Sequence, residues 1–323
     1  MNGNILVIGA YGQLGTELTE ALKCRYGPSH VIATDVLTPA YLSDEDDSCL
    51  YLDVLNKRAL EAIVTKYHIT QIYLLAAMLS ATGEHSPLDA WKLNIQGLLN
   101  VLEVAKEQLI SKVFWPSSIA VFGHHAPKKP CPQHTVLQPA TVYGISKSAG
   151  EDWCQYYFNK YGIDVRSIRF PGLVSYTSMP SGGATDYAVE IFHHAIKNGA
   201  YTCYLKPTVT LPMMYMPDAV RAAIELMEAP AEELTVRTSY NISGMSFTPG
   251  QLAAQIKKGV AGFRISYQPD YRQSIAETWP TSIDDRIARR DWNWSPEYDL
   301  PAMTEHMLLN LRARVIESKC ELV

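Results

Sequence analysis

The sequence predicts an α/β protein with a doubly wound parallel sheet and a smaller, mostly C-terminal lobe. Two observations predict this fold. The first half of the chain alternates short β-branched runs with longer helical stretches, and a glycine-rich turn follows the first of those runs. The 323 residues are 47% hydrophobic, so the chain can bury a sizeable core and is not disordered.

The first half of the chain contains five predicted strands separated by four predicted helices. In chain order these are strand 5–8, helix 13–24, strand 31–34, helix 57–67, strand 71–75, helix 88–109, strand 112–115, helix 142–161 and strand 165–169. Parallel strands need a long crossover between them, which is usually a helix. Strict alternation therefore indicates a parallel sheet with helices on both faces.

The alternation ends at Pro171-Gly172, where turn-rich sequence begins. The later predicted elements are helix 188–197, strand 201–206, helix 218–228, strand 240–243, helix 249–257 and helix 302–314. We expect the sheet domain to span residues 1–172, with segments near 208–244 returning to it. Residues 173–323 are then mainly a lobe that binds the substrate.

A Gly-x-x-Gly-x-x-Gly turn connects the first strand to the first helix. Its expected contact residues are Gly9, Gly12, Gln13, Leu14 and Gly15. The glycines allow close approach of a pyrophosphate, and the helix N-terminus offers free amides and a positive dipole end. An ordinary glycine turn is the alternative. The position in the first strand–helix unit favours a Rossmann-type dinucleotide site in residues 1–172.

The residues after the second strand indicate which dinucleotide binds. Asp35 stands 20 residues after Gly15, where a carboxylate binds the adenosine ribose hydroxyls of NAD. Residues 36–39 contain no Arg or Lys for the 2′-phosphate of NADP, so NAD is the expected cofactor. Asp53 and Val54 end the next apolar stretch and are expected at the adenine edge. A helix N-cap is an equally simple interpretation of Asp53.

Tyr143 and Lys147 lie four residues apart at the start of predicted helix 142–161, so their side chains share one helix face. A nearby ammonium and a nicotinamide favour tyrosinate, and bringing a phenol pKa from ~10 to ~7 takes roughly 4 kcal/mol. Ser118 follows strand 112–115 at the carboxyl edge of the sheet, where its hydroxyl can hold a substrate oxygen. We predict Tyr143 as the general base, with Lys147 and Ser118 as its catalytic partners. A surface Tyr–Lys pair and a turn-capping serine are the alternatives.

Several short motifs together resemble the extended short-chain dehydrogenase/reductase superfamily. They are the glycine turn, Leu75-Ala76-Ala77, Asn94-Ile95-Gln96-Gly97, Ser117 through Gly123, and Tyr143 with Lys147. The resemblance covers the chain up to about Pro171 and implies further NAD contacts. These are Leu75, Ala76, Ala77, Asn94, Pro116, Tyr143, Lys147 and Pro171.

A narrower resemblance is to NAD-dependent L-threonine 3-dehydrogenases of the short-chain type. It rests on Ala76 through Glu84, Gly183 through Phe192, Trp279 through Asp285, and Asp291-Trp292. The resemblance implies oxidation of the threonine β-hydroxyl to 2-amino-3-oxobutyrate, with hydride transfer to NAD. It implies amino-acid contacts from Ser80, Ser118, Tyr143, Gly183, Thr185 and Trp279. Ser118 stands where threonine is frequent, and Ala184 replaces a threonine beside Thr185.

Two other functions remain open from the sequence. A nucleotide-sugar epimerase would share the fold, but the compact turn 178–185 and Trp279-Pro280 argue against it. A catalytically silent NAD-sensing module would need no base, which the predicted catalytic residues argue against. Thr185 as a helix N-cap and Trp279 as a packing residue are the simpler interpretations of those side chains.

Charge and cysteine content limit the expected partners. With 28 Lys and Arg against 33 Asp and Glu, the net charge is −5 and no basic block is present, so we expect no nucleic-acid or membrane partner. No apolar run approaches the ~18 residues of a membrane span. The six cysteines are scattered, which indicates free thiols in the cytoplasm. We expect no metal, because the candidate ligands fit no standard zinc spacing. Those candidates are His124, His125, Cys131 and His134.

The two long predicted helices, 88–109 and 142–161, carry apolar side chains on more than one face. Aromatic residues crowd the second helix at Trp153, Tyr156 and Tyr161. A helix that is apolar nearly all round is buried nearly all round. We expect a homodimer through these two helices, and cover by loops of the same chain is the alternative.

Overall fold

The computed structural model describes residues 3–37, 49–179 and 182–320. The strands are β1 Asn4–Ile8, β2 Val31–Asp35, β3 Cys49–Tyr51, β4 Ile69–Leu74, β5 Lys112–Phe114, β6 Ser117–Ser118, β7 Asp164–Arg166, β8 Ile168–Phe170, β9 Gly172–Val174, β10 Ala200–Cys203, β11 Leu211–Tyr215, β12 Tyr240–Asn241, β13 Met245–Phe247 and β14 Arg264–Tyr267. The helices are α1 Gln13–Tyr26, α2 Lys57–Lys66, α3 Ser80–His85, α4 Pro87–Trp91, α5 Gly97–Glu107, α6 Val142–Tyr161, α7 Tyr187–Asn198, α8 Met216–Glu228, α9 Pro249–Gly259, α10 Tyr271–Ala276, α11 Arg286–Trp292 and α12 Leu300–Cys320.

The central sheet has six parallel strands in the order β3-β2-β1-β4-β5-β7. This order confirms the predicted Rossmann-type fold. Chain direction across the sheet reverses between β1 and β4, and ligands of such sheets bind in the crevice beyond the carboxyl ends of the strands at that point. Ile8 ends β1 opposite Thr34 of β2 and Leu74 of β4.

Helices cover both faces of the central sheet, and β1 shows why its sequence is apolar throughout. Ile5 and Val7 face the cluster formed with α1 and α8, whereas Leu6 and Ile8 face the cluster formed with α2 and α5. Successive strand residues point to opposite faces, so a strand covered on both sides needs a continuous apolar run.

The later strands form smaller sheets beside the central one. β8 pairs with β6 and β12, and β11 lies between β9 and β13. β10 pairs with β14, and α7, α9 and α12 pack around a third core. The segment 211–241 therefore runs alongside β8 and β9, and α8 packs against α1.

Several predicted elements differ in extent. The predicted helix 88–109 is divided into α4, a π-helical turn Lys92–Gln96 and α5. The predicted strand 165–169 is two strands, because β7 extends the central sheet and β8 pairs with β6 and β12 instead. The short elements β3, β14 and α10 were not predicted, since elements of three to six residues show no measurable periodicity.

Candidate functional site

A cavity of about 210 Å³ lies at the carboxyl edge of the central sheet. Its walls are the glycine turn, the ends of β4 and β5, the first turns of α6, and the start of α7. The predicted residues that line it are Gly9, Gly12, Gln13, Leu14, Gly15, Leu75, Ala77, Ser80, Pro116, Ser118, Tyr143, Lys147, Pro171, Gly183, Thr185 and Trp279. The fold thus brings the predicted catalytic and substrate residues and most of the predicted cofactor residues to one place.

The backbone of the glycine turn packs so closely that side chains at Gly9 and Gly15 would clash with neighbouring atoms. Gly9 has φ +88°, and a Cβ there would lie 2.6 Å from the backbone nitrogen of Ala76. A Cβ on Gly15 would lie 2.1 Å from the carbonyl oxygen of Gly9. No side chain caps the N-terminus of α1, and the buried amide nitrogen of Gln13 has no hydrogen-bond partner among the described residues. Free donors around a close-approach turn fit the phosphates of a dinucleotide.

Asp35 lies beside this turn at the end of β2, outside the lining of the 210 Å³ cavity. Its carboxylate accepts hydrogen bonds from the backbone amides of Tyr11 at 2.9 Å and Leu37 at 3.1 Å. These bonds fix the carboxylate next to the glycine turn, in the position expected for ribose recognition. Of the residues expected to exclude NADP, Thr38 and Pro39 lie outside the described residues.

Asp53 and Val54 do not line the cavity. The Asp53 carboxylate accepts from the Leu55 amide at 2.9 Å, in a turn before α2. The N-cap of α2 is Asn56, whose side chain accepts from Ala59, so the alternative interpretation of Asp53 as the N-cap is wrong.

Asn94 and Ala76 also lie outside the cavity lining. The buried Asn94 amide bonds both backbone groups of Met78, at 2.9 and 3.1 Å, and donates to the Ser146 hydroxyl at 3.0 Å. Asn94 therefore fastens the loop after β4 to α6. The Ala76 amide donates to the carbonyl of Ile8, and its nitrogen packs against Gly9.

Tyr143 and Lys147 lie on the first two turns of α6. The helix starts here because the Thr141 side chain accepts from the Gly144 amide at 3.1 Å. The Lys147 ammonium donates to the carbonyl oxygen of Pro116 at 2.6 Å and lies 5.6 Å from the centre of the Tyr143 ring. The pair faces the cavity, so the surface-pair alternative is wrong.

Ser118 contacts this pair from β6. Its side chain lines the same cavity as the Tyr143 phenol and lowers the pKa of that phenol, and its hydroxyl accepts a hydrogen bond from the Ala120 amide at 3.2 Å. Ser118 therefore caps a short turn, as the simpler interpretation proposed, and also meets the predicted base. The two roles are compatible because the hydroxyl has two acceptor positions and one donor.

Burial controls the protonation of both predicted catalytic groups. It raises the pKa of Tyr143 to about 12, and the Ser118 hydroxyl opposes this only in part. Burial also lowers the pKa of Lys147 to about 7. The expected lowering of the Tyr143 pKa by Lys147 is therefore not found in the chain alone, because desolvation disfavours both charged forms.

A buried ion pair, which was not predicted from the sequence, lies next to the predicted catalytic residues. Glu151 accepts two hydrogen bonds from Arg169, at 2.9 and 2.6 Å, and a third from Ser117 at 2.6 Å. Because Ser117 precedes Ser118 and Glu151 is one turn after Lys147, this pair connects α6 to β6 and β8. Glu151 stands four residues after Lys147, and this spacing could have placed it on the same helix face as Tyr143 and Lys147.

The lobe contributes the start of α7 to the cavity. Asp186, also missed, accepts from the backbone amides of Gly182 at 2.9 Å and Gly183 at 2.6 Å, and burial raises its pKa. The N-cap position of α7 is Asp186, so Thr185 is not the helix cap and its side chain lines the cavity. Trp279 is 6% exposed and packs in the lobe core as well as lining the cavity.

The remaining lining residues come mostly from the ends of β8 and β6. The unpredicted ones are Leu79, Ser117, Ile119, Ala120, Phe170, Gly172, Leu173, Ala184 and Asp186. Residues 170–173 follow the predicted strand 165–169, and the carboxyl ends of parallel strands share one edge, so the position after that strand could have indicated them.

Two structural findings concern metal binding and membrane spans. Within the described part of the chain, no three His, Cys, Asp or Glu side chains are grouped so as to hold a metal ion. No helix in that part combines the length and the apolar character needed to cross a bilayer.

Comparison with known proteins gives the family. The profile of the NAD dependent epimerase/dehydratase family matches residues 5–243. An uncharacterised epimerase/dehydratase of Staphylococcus haemolyticus is 48% identical over 313 residues, covering 94% of this chain and 96% of the relative. A mitochondrial L-threonine 3-dehydrogenase of Bos taurus is 45% identical over 305 residues, covering 94% of this chain and 81% of the relative.

Solved structures agree with this assignment. The holo form of an L-threonine dehydrogenase from Cupriavidus necator superposes with a TM-score of 0.92 at 54% identity, over 95% of this chain and 99% of that one. A monomeric L-threonine 3-dehydrogenase from a metagenome superposes with a TM-score of 0.92 at 47% identity, over 96% and 99%. The predictions of an NAD-dependent enzyme and of NAD as its cofactor are confirmed. The chain belongs to the NAD dependent epimerase/dehydratase family.

Proposed function

We propose that this enzyme oxidises the β-hydroxyl of L-threonine to 2-amino-3-oxobutyrate with hydride transfer to NAD. The observation that carries the proposal is that Ser118 and Tyr143 line one cavity of about 210 Å³ together with the glycine turn. The relatives described as L-threonine dehydrogenases support this substrate.

Tyr143 is the proposed general base. Its phenolate takes the proton of the β-hydroxyl while Ser118 holds the same oxygen, so that the carbonyl forms as the C–H bond breaks. NAD, when bound, accepts the hydride from the β-carbon, and its positive ring favours the tyrosinate form. Lys147 holds the Pro116 carbonyl at 2.6 Å and thereby fixes the loop between β5 and β6, which ends at Ser118.

The remaining walls fit a small zwitterion. Ser80 and Thr185 provide hydroxyl donors for an α-carboxylate, and the Asp186 carboxylate on the same wall is complementary to an ammonium. The similar solved structures from Cupriavidus necator and from a metagenome are described as L-threonine dehydrogenases. The epimerase alternative is therefore less well supported.

The proposed domain division follows the same contacts. Residues 1–172 form the NAD-binding Rossmann domain, to which segments near 208–244 return through β11, α8 and β12. Residues 173–323 otherwise form the substrate-binding lobe. The contacts of α8 with α1, and of β12 with β8, support this division.

One assay tests the function. NADH formation is followed by absorbance with L-threonine, L-serine, 3-hydroxybutyrate and UDP-sugars as separate substrates. We expect L-threonine to give NADH, and Tyr143→Phe to lower kcat by about 10²–10⁴-fold while NAD still binds. Full activity in Tyr143→Phe would show that Tyr143 is not the general base. Binding of uridine nucleotides without oxidation of threonine would favour the epimerase. Binding of NAD without turnover of any substrate would favour the NAD-sensing module.

We also propose that two copies pair through α5 and α6. Trp153, Tyr156 and Tyr161 are 38%, 42% and 41% exposed and form one aromatic face of α6. The monomeric relative shows that this assembly is not general among similar enzymes. Light scattering should give a dimer for the unaltered chain and a monomer for Trp153→Ser/Tyr156→Ser. The control is Tyr271→Ser, which alters an aromatic side chain that is 53% exposed on α10.

The cytoplasm is the proposed location. The cysteines whose side chains are described are all free thiols, as expected in a reducing compartment. They are Cys24, Cys131, Cys154 and Cys203. The bovine relative is described as mitochondrial, so fractionation of cells that express this chain is the direct test.

A further inference from the structure

Lys128 lies in the loop between β6 and α6. Both its side-chain ammonium and its backbone carbonyl form hydrogen bonds with the segment that carries Trp279. Its ammonium donates to the carbonyl oxygens of Glu277, Thr278 and Trp279 at 2.9, 3.0 and 3.0 Å. Its own carbonyl oxygen accepts from the backbone amide and the side-chain hydroxyl of Thr281, both at 2.8 Å. One lysine therefore holds the chain on both sides of Trp279.

The three carbonyls follow the short helix α10, which ends at Ala276. A backbone carbonyl beyond the end of a helix has no partner within that helix, and the three donors of the Lys128 ammonium satisfy these three carbonyls. A six-residue helix has little stability of its own. The orientation of the chain after α10 therefore depends on this contact with a loop about 150 residues earlier in the sequence.

Trp279 connects the segment that Lys128 holds to the cavity. Its side chain lines the cavity together with Ser80 and Thr185, and only 6% of it is exposed. Lys128 itself does not line the cavity. The neighbouring bonds continue the same attachment, since Cys131 forms a backbone bridge with Ile283.

We propose that Lys128 is a positioning residue for substrate recognition. It holds Trp279 against the amino-acid end of the cavity and does not touch the substrate. Its effect is therefore on the binding of the amino acid, because its hydrogen bonds go to residues 277–281 and not to the glycine turn or Asp35. The kinetic part of this inference rests on the proposed function.

The kinetic test compares Lys128→Met with the unaltered enzyme. We expect the KM for L-threonine to rise at least about tenfold, because three hydrogen bonds from a charged donor are lost. The KM for NAD should not change. Lys128→Arg should restore most of the affinity, since a guanidinium can also donate to several carbonyls. Lys129→Met is the matched control, because Lys129 is the adjacent exposed lysine and contacts none of these carbonyls.

A second measurement does not require turnover. Acrylamide quenching of Trp279 fluorescence is obtained as the difference between each protein and its Trp279→Phe counterpart. We expect Trp279 to be more accessible to acrylamide in Lys128→Met than in the unaltered protein, and unchanged in Lys129→Met. If no protein in the series oxidises L-threonine, the proposed function fails, and quenching still decides the role of Lys128.

The inference is overturned if folded Lys128→Met leaves both Trp279 quenching and the KM for L-threonine unchanged. It is also overturned if the KM values for NAD and L-threonine rise together and Lys128→Arg restores neither, because that pattern indicates a general structural role. Lys128→Gln, which keeps one donor group, is used for the same measurements if Lys128→Met does not fold.

Discussion

Replacing Gly15 with alanine should both destabilise the protein and weaken NAD binding, whereas replacing Gly12 should affect NAD binding alone. A Cβ on Gly15 would lie 2.1 Å from the carbonyl oxygen of Gly9, and one on Gly12 would lie 3.4 Å from the same atom. The first distance requires the backbone to move, and the second is ordinary van der Waals contact. Both glycines line the cavity.

The size of the Gly15→Ala effect follows from this contact. Overpacking against a backbone atom that cannot rotate away costs about 3 kcal/mol, and alanine regains about 1 kcal/mol in helix propensity. The net loss is about 2 kcal/mol, which lowers Tm by roughly 3 °C for a chain of this length. If the glycine turn is distorted to a similar degree in the NAD complex, a loss of about 2 kcal/mol in binding free energy raises the Kd for NAD by about 30-fold.

The assays are calorimetric unfolding without NAD and titration calorimetry with NAD. Gly12→Ala should unfold at the temperature of the unaltered protein but bind NAD more weakly, because its methyl group occupies the space a pyrophosphate must approach. A Gly15→Ala protein with unaltered Tm and NAD affinity would refute the reasoning. So would a Gly12→Ala protein that binds NAD as before.

Three further predictions concern buried polar groups. Burial raises the pKa of Tyr143 to about 12, so the phenol is protonated at pH 9 and should release a proton when the positive cofactor binds; titration calorimetry in buffers of different ionisation enthalpy should detect this release, and Tyr143→Phe should abolish it. Asn94→Ala leaves the backbone groups of Met78 without their side-chain partner, so urea unfolding should show a loss of about 1–3 kcal/mol in the free energy of unfolding; an unchanged midpoint would mean that water replaces the amide. Glu151→Gln breaks the buried pair with Arg169 and should cost about 3–5 kcal/mol by urea unfolding, and adding Arg169→Met should recover part of that loss; no recovery would count against the ion pair as the cause.

Most of the central fold could be predicted from the sequence because its signals are local. β1 and α1 are continuous in sequence, and the glycine turn between them has a fixed geometry. Strict alternation then implies the parallel sheet. The predictions were poorer for β3 and α10, because three and six residues show no measurable period and their pairing partners lie elsewhere in the chain.

The predicted site residues fall into two groups in the structure. Tyr143 and the glycines of the glycine turn line the cavity. Asn94 instead fastens a loop to α6, and Asp53 forms a local turn. A side-chain amide or carboxylate looks the same in sequence whether its partner is a ligand or a backbone group, so these two roles could not be separated.

The sequence by itself determined the doubly wound sheet, the glycine turn and the Tyr143–Lys147 pair, because periodicity and spacing within one element carry that information. Only the tertiary structure decided the protonation of this pair, since burial by many residues distant in sequence raises one pKa and lowers the other. It also decided that Trp279 meets the cavity and that Lys128 holds it there. Such contacts join segments about 150 residues apart, and no local pattern encodes them.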